Sequence, residues 1–265
     1  MKPYYEDNLV KLYNGNASDV LASFPANSVD LVVTSPPYDN LRDYDGYVFD
    51  FPAIADGLFR VLADRGVIVW VVGDATEAGT ESGSSFKQVL HFKEHGFNLH
   101  DTMIYEKSNF ANPSHNRYHQ IFEFMFILSK GVPKTFNPIK DKVNKYREAW
   151  GKNTFRDKDG KLKERKRNHY PEMGMRTNIW RYVTGNVNGD DKMALEHPAI
   201  FPERLAQDHI LSWSNPGDTV LDPMAGSGTV LKKARENNRR AIGIEISEKY
   251  CALQARRLAQ EVMPL

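Results

Sequence analysis

Short, nearly unbroken apolar runs alternate along this chain with stretches whose apolar residues recur every three or four positions. The first pattern reads as strands and the second as helices, and their alternation predicts parallel strands joined by crossover helices. Strands are expected at Val10–Tyr13, Asp30–Thr34, Gly66–Val72, Leu99–Tyr105, Phe122–Leu128, Thr219–Asp222 and Ala241–Glu245. Two of them, in VDLVVTS and GVIVWVVGD, are almost wholly apolar and β-branched, as a strand covered on both faces should be. The pair at 99–105 and 122–128, with a polar loop between, suits an antiparallel edge hairpin. Helices are expected at Ala17–Phe24, Ala53–Ala63, Ser85–His95, Phe201–Trp213, Thr229–Asn237 and Glu248–Glu261. Pro202 suits the first turn of its helix, and Ser247 is a good N-cap before Glu248.

The rhythm breaks from Lys130 to Glu196, which is polar, basic and rich in Asn and Gly, and resumes at His197. We read 1–130 and 197–265 as two halves of one α/β domain, with 131–196 as an insertion off the sheet. The length of 265 residues fits one sizeable core. A net charge of +1 says little, but between Lys140 and Arg167 there are twelve Lys/Arg against five Asp/Glu. That is the footprint expected for phosphate contact, and equally the composition of a solvated loop. No apolar run is long enough for a membrane span, and the opening MKPYYEDNLV lacks a signal-peptide pattern, so a cytoplasmic protein is expected. The single cysteine, Cys251, excludes an intramolecular disulfide and a cysteine-built metal site, and its helical setting predicts a packing role. No metal is expected.

Two segments carry chemistry. In VLDPMAGSGT (220–229) a strand ends in Asp222, a turn through Pro223, Ala225, Gly226, Ser227 and Gly228 follows, and a helix begins at Thr229. Gly226 and Gly228 let the backbone turn tightly and approach a ligand, and free amides at the next helix can face an anionic group. Glu245, about twenty residues on at the end of the next strand, is placed to accept ribose hydroxyls. An acid at the head of the loop would repel a pyrophosphate but could hold an ammonium, so methionine plus adenosine fits better than a dinucleotide. The second segment, VDLVVTSPPYDN (29–40), runs a buried strand into Ser35, Pro36, Pro37 and Tyr38. Two prolines remove two amide donors and leave a rigid loop of outward carbonyls, and Tyr38 adds a flat face for stacking.

TSPPY followed far downstream by DPMAGSGT resembles the amino-DNA methyltransferases of the permuted beta arrangement, in which the catalytic loop precedes the cofactor loop. HPAIFPERL (197–205), the 104–130 strand pair and TNIWRY (177–182) resemble further segments of that family, so that nearly the whole chain is covered and only the basic insertion lacks a counterpart. The resemblance implies a Rossmann-like fold, mostly parallel and circularly permuted, with S-adenosyl-L-methionine as cofactor and double-stranded DNA as substrate. It places Thr34 and Phe201 with the glycine loop among the cofactor contacts. It gives Ser35 and the Pro36 carbonyl the task of accepting hydrogen bonds from the target amino group, with Tyr38 stacked on the base. Asn16 departs from the pattern, because many relatives carry there an aspartate that touches the cofactor adenine.

An exocyclic amino nitrogen is a poor nucleophile because its lone pair is conjugated with the ring. Methyl transfer therefore needs positioning and transition-state electrostatics, and no covalent enzyme intermediate. Reaching that nitrogen in a duplex requires extruding the nucleotide. Lys142, Lys145, Arg147, Arg165, Lys166 and Arg167 are the expected phosphate contacts. Asn116 and Arg117, with His119, are expected at the mouth of the pocket. Relatives with Ser at the first loop position lean towards cytosine N4, which is the expected target, with adenine N6 as the alternative. More distant alternatives are an RNA or protein-glutamine methyltransferase, and a DNA-binding relative without activity. A cognate restriction endonuclease is a candidate partner, and the protein is expected to be a monomer or homodimer.

Overall fold

The computed structural model describes residues 1–37, 49–110, 115–144, 154–164, 171–183 and 201–260. It divides into two compact units, one formed by Met1–Asn137 with Asn178–Leu265 and the other by Pro138–Thr177.

The larger unit is built on a nine-stranded sheet. In chain order its strands are β1 (Tyr5–Glu6), β2 (Val10–Asn14), β3 (Val29–Thr34), β4 (Leu62–Val72), β5 (Asn98–Lys107), β6 (Phe122–Ser129), β7 (Ile179–Tyr182), β8 (Thr219–Asp222) and β9 (Arg240–Glu245). Across the sheet they lie in the order β1-β2-β9-β8-β3-β4-β6-β5-β7. From β2 to β4 all pairings are parallel, while β6 runs antiparallel to both β4 and β5. The helices are α1 (Ala17–Ala22), α2 (Phe51–Val61), α3 (Ser84–Glu94), α4 (Glu203–Trp213), α5 (Thr229–Glu236) and α6 (Glu248–Gln260).

The two runs expected to be covered on both faces are buried from Leu31 to Thr34 and from Gly66 to Val72. One core layer joins α1, α2 and α3 to the sheet through Leu21, Leu58, Trp70, Phe92 and Leu128. On β3, β8, β9 and β2 pack α4, α5 and α6. Such two-sided cover is what lets parallel strands do without polar alternation.

Three boundaries differ from the sequence reading. Helix α2 starts at Phe51, because Asp50 accepts from the Ala53 amide at 3.1 Å and Pro52 sits in the first turn. Pro202 precedes α4 as its N-cap residue instead of entering the helix. The β5–β6 hairpin is present, but the sheet continues past it to β7, which pairs in parallel with Ile104–Lys107. Strand β7 alternates exposed and buried residues, and Trp180 and Tyr182 face inward. Trp180 stacks on His209 at 4.6 Å, and the Tyr182 hydroxyl donates to Asp208 at 2.7 Å. Residues 179–182 of the expected 131–196 insertion thus belong to the sheet.

The smaller unit holds two antiparallel ribbons, Thr154–Arg156 with Leu162–Glu164 and Lys142–Val143 with Met173–Gly174. Asp157 organises the first ribbon's turn by accepting from the Asp159 and Lys161 amides at 3.0 and 2.9 Å. Lys142, Arg156, Lys158, Lys161 and Lys163 are exposed. Lys145, Arg147, Arg165, Lys166 and Arg167 lie outside the described residues.

Candidate active site

Strands β2, β9, β8 and β3 run parallel, so their C-terminal ends share one edge of the sheet. Along that edge stand Asn14, Glu245, Asp222 and Thr34, followed by Ser35. In open α/β sheets this is where ligands bind.

The Thr34 hydroxyl donates to Asp222 Oδ1 at 2.7 Å in a fully buried contact. It fastens the entry to the Ser35-Pro36-Pro37 loop to the head of the glycine loop. Ser35 and Pro37 are half-buried and Pro36 is buried; Tyr38 lies outside the described residues. Asp222 Oδ1 also accepts from the Met224 amide at 3.1 Å. Burial, reinforced by the nearby Glu245 charge, outweighs those two hydrogen bonds and pushes the Asp222 carboxyl up to about 7.

Glu245 supports the loop from the next strand. Its two oxygens accept from the Gly226 amide at 2.8 Å and the Ser247 amide at 2.9 Å. Burial raises this carboxyl too, against those amides. Among the described residues neither Glu245 nor Asp222 has a cationic partner within ion-pair distance. Two buried acids of this kind suit a ligand that brings a positive charge and hydroxyl donors. Gly226 and Gly228 have φ of +52° and +80°, and a Cβ on Gly228 would lie 2.9 Å from Gln254 Cγ. Helix α5 begins right after Gly228 with no side-chain cap, which leaves first-turn amides available to an anion.

Residues that the sequence reading did not single out hold this loop from below. Gln254 Nε2 donates to the Gly226 carbonyl at 3.0 Å, and Arg257 donates to the Ser227 carbonyl. Arg257 also lies 3.7 Å from Glu203, which bonds Lys232 and Lys233 of α5 and so ties the head of α4, just after Phe201, to the loop. The only sequence signal was a Gln and an Arg on the buried stripe of α6, beside Cys251 and Leu258. Cys251 itself is buried and its thiol is pushed up to about 12, chiefly by burial, which fits the packing role expected of it.

A third acid at the same edge is committed elsewhere. Asp74, just past β4, accepts from the Ser85 amide and the hydroxyls of Ser82, Ser84 and Ser85, and so caps α3. At the expected pocket mouth, Arg117 donates to the Gly79 carbonyl at 2.5 Å and lies 3.6 Å from Glu81, while His119 stacks on Phe110 at 4.0 Å. Asn116 is exposed. Among the described residues no His/Cys/Asp/Glu group could hold a metal. No described helix is long and apolar enough to cross a membrane.

The model of the N6/N4 DNA methylase family matches residues 29–257, which spans both loops and every strand end of this site except that of β2. The chain belongs to that family. It is 55% identical over 240 residues to the orphan methyltransferase M.BamHII of Bacillus amyloliquefaciens, covering 89% of this chain and 91% of that protein. Its fold matches that of the cytosine-N4-specific PvuII DNA methyltransferase with a TM-score of 0.72 at 22% identity, covering 99% of this chain and 91% of the other. It also matches TTHA0409 of Thermus thermophilus, a putative DNA modification methylase solved with S-adenosyl-L-methionine, with a TM-score of 0.65 at 28% identity over 96% and 95% of the two chains. The protein is therefore a DNA amino-methyltransferase of the S-adenosyl-L-methionine-dependent fold, with the Ser35-Pro36-Pro37 segment ahead of the glycine loop in the chain. The site fits that cofactor: acids for its ammonium and ribose hydroxyls, and a glycine turn with free amides for its carboxylate.

Proposed function

We propose that this enzyme methylates the exocyclic N4 of cytosine in double-stranded DNA. What supports transfer to an amino group is the Thr34–Asp222 hydrogen bond, which joins the strand end before Ser35 to the head of the glycine loop. The bound cofactor supplies an electrophilic methyl group. Asp222, Glu245 and the Gly226–Thr229 turn hold and orient it, with Thr34 and Phe201 alongside. Ser35 and the Pro36 carbonyl accept hydrogen bonds from the target amino group and direct its nitrogen lone pair, and Tyr38 stacks on the base. Rate comes from positioning and from fixed acceptors that oppose charge building on that nitrogen.

Ser35 stands at the first loop position, where relatives with Ser lean towards cytosine N4. Adenine N6 is the second reading, because the family takes in both amino targets, and the likeness to the PvuII enzyme speaks for the fold alone. The target nucleotide is extruded from the duplex to reach the pocket. The basic segment 140–167, including Lys142, Lys145, Arg147, Arg165, Lys166 and Arg167, contacts phosphates, and Asn116 and Arg117 stand at the mouth. A cognate endonuclease is a candidate partner.

The test is incubation with mixed-sequence duplex DNA and labelled cofactor, followed by nucleoside mass analysis. N4-methylcytosine is expected; N6-methyladenine would keep the chemistry and reverse the base. Ser35→Ala should retain cofactor affinity and lose about a hundredfold in transfer rate, as removal of a transition-state hydrogen bond does. Wild-type turnover in that variant would remove Ser35 from the mechanism.

A further inference from the structure

Tyr118 is fully solvent-exposed, at 100% of its accessible surface. Its neighbours are held. Arg117 is bonded to Gly79 and lies against Glu81, and His119 is stacked on Phe110. The base of the loop is closed by the Lys107 amide on the Ile121 carbonyl at 2.6 Å and by the Lys107–Glu123 ion pair at 2.5 Å. An aromatic ring projecting beside two anchored neighbours is already presented to solvent, and a tyrosine has only two side-chain torsions to fix on docking.

Topology places this ring at the reaction edge. Strands β4 and β5 are both antiparallel to β6, so they point the same way, and the loop after Lys107 opens at the edge where Ser35 and Asp222 stand. The segment that Arg117 grips, Thr76–Glu81, grows out of β4, the sheet neighbour of β3. Tyr118 is thus carried on the β5–β6 loop, with β4 between β6 and the strand of the Ser35 loop, on the side towards which a duplex must be presented. Arg117, with its guanidinium against Gly79 and Glu81, acts there as the brace of Tyr118.

We propose that Tyr118 enters the base stack and fills the gap left by the extruded target nucleotide. The inference rests on the base-extrusion reading above. Extrusion leaves an unpaired partner base and an open step in the duplex, and a flat ring with a polar tip restores stacking while its hydroxyl stays wet. Stacking tolerates any partner base, so the role asks only for the ring.

The test uses the full-length enzyme, with Tyr118→Ala and Tyr118→Phe, on a duplex carrying the sequence that the wild type methylates, mapped beforehand from labelled DNA. A second duplex has the target nucleotide opposite an abasic position, where extrusion needs no help. At saturating enzyme, Tyr118→Ala should transfer methyl about tenfold more slowly in a single turnover on the paired duplex, the order expected when one stacking interaction is removed. It should come within about twofold of wild type on the abasic duplex, and Tyr118→Phe should match wild type on both. An undiminished rate for Tyr118→Ala on the paired duplex overturns the proposal, as does an equal loss on both duplexes. The wild type must also bind the abasic duplex more tightly than the paired one; if it does not, the extrusion reading itself fails, whatever the variants do.

Discussion

Cofactor binding should strengthen as pH rises towards 7.5, and Asp222 is the reason. Its carboxyl is pushed up from the ordinary 3.8 to about 7, first by burial and then by the Glu245 charge, against the Thr34 hydroxyl and the Met224 amide. The folded protein without cofactor therefore holds a proton that the unfolded chain releases at lower pH. This group's contribution to folding stability is largest in acid and is lost as pH rises from about 4 to about 7. A bound ammonium reverses the preference, because it favours the carboxylate. For one proton lost on binding with a free-enzyme pKa near 7, the dissociation constant should fall roughly eightfold between pH 6 and pH 7.5. At pH 7 about half a proton should leave per cofactor bound. Titration calorimetry at the three pH values, in two buffers of different ionisation enthalpy, measures both quantities. Asp222→Asn should flatten the slope and abolish the proton release. Glu245→Gln should weaken binding and keep most of the slope, because burial is a larger cause of the Asp222 shift than the Glu245 charge. A dissociation constant in the wild type that does not change from pH 6 to 7.5, or an unchanged slope in Asp222→Asn, would refute the assignment of this proton to Asp222.

Three further outcomes are expected. Gly228→Ala places a side chain at φ +80° with its Cβ 2.9 Å from Gln254 Cγ, so the left-handed strain of about 1–2 kcal/mol adds to a collision. Its melting temperature and cofactor affinity should both drop, and adding Gln254→Ala should recover part of the loss; full additivity in a double-mutant cycle would mean that the two do not touch. Arg257→Met removes the donor to the Ser227 carbonyl and the charge beside Glu203, so KM for cofactor should rise by more than kcat falls, and an unchanged KM would show that the loop holds its shape unaided. Replacing Arg165, Lys166 and Arg167 together with Ala should weaken DNA binding and reduce its salt dependence by about one unit of log–log slope for each phosphate no longer neutralised. An unaltered slope would make that stretch a solvated segment.

The elements legible in the sequence were those whose burial is written locally. Strands β3 and β4 announce themselves because both faces are covered, so almost every position in their central runs is apolar. Strand β7 has four residues and only two buried anchors, and what holds them, His209 and Asp208, comes from α4 across a stretch of unpatterned chain. The start of α2 was missed for the opposite reason: the Asp50 cap and Pro52 are local signals, but they precede the first clearly periodic residues. Within the site, Asp222, Gly226, Gly228 and Glu245 follow from a strand, a turn and a strand in short order. The Thr34–Asp222 bond joins residues 188 positions apart and has no periodicity to betray it.

Asn16 shows how a departure from the family pattern becomes readable only in three dimensions. Its side-chain oxygen accepts from the Ser18 amide at 3.1 Å and the Ser18 hydroxyl at 2.9 Å, so it caps α1 at the edge where β2 ends. An adenine amino group approaching that oxygen would compete with two donors already in place. A carboxylate at the same position could cap the helix with one oxygen and receive a ligand with the other, whereas the second side-chain atom of an asparagine is itself a donor. The change from acid to amide keeps the helix start and leaves one side-chain acceptor where a carboxylate would have two. Two carboxylates, Asp222 and Glu245, remain there, each buried and each raised, and the charge that would settle them comes with the cofactor. A pH dependence of cofactor binding set by Asp222 and the shape of the glycine loop would then be two consequences of one arrangement.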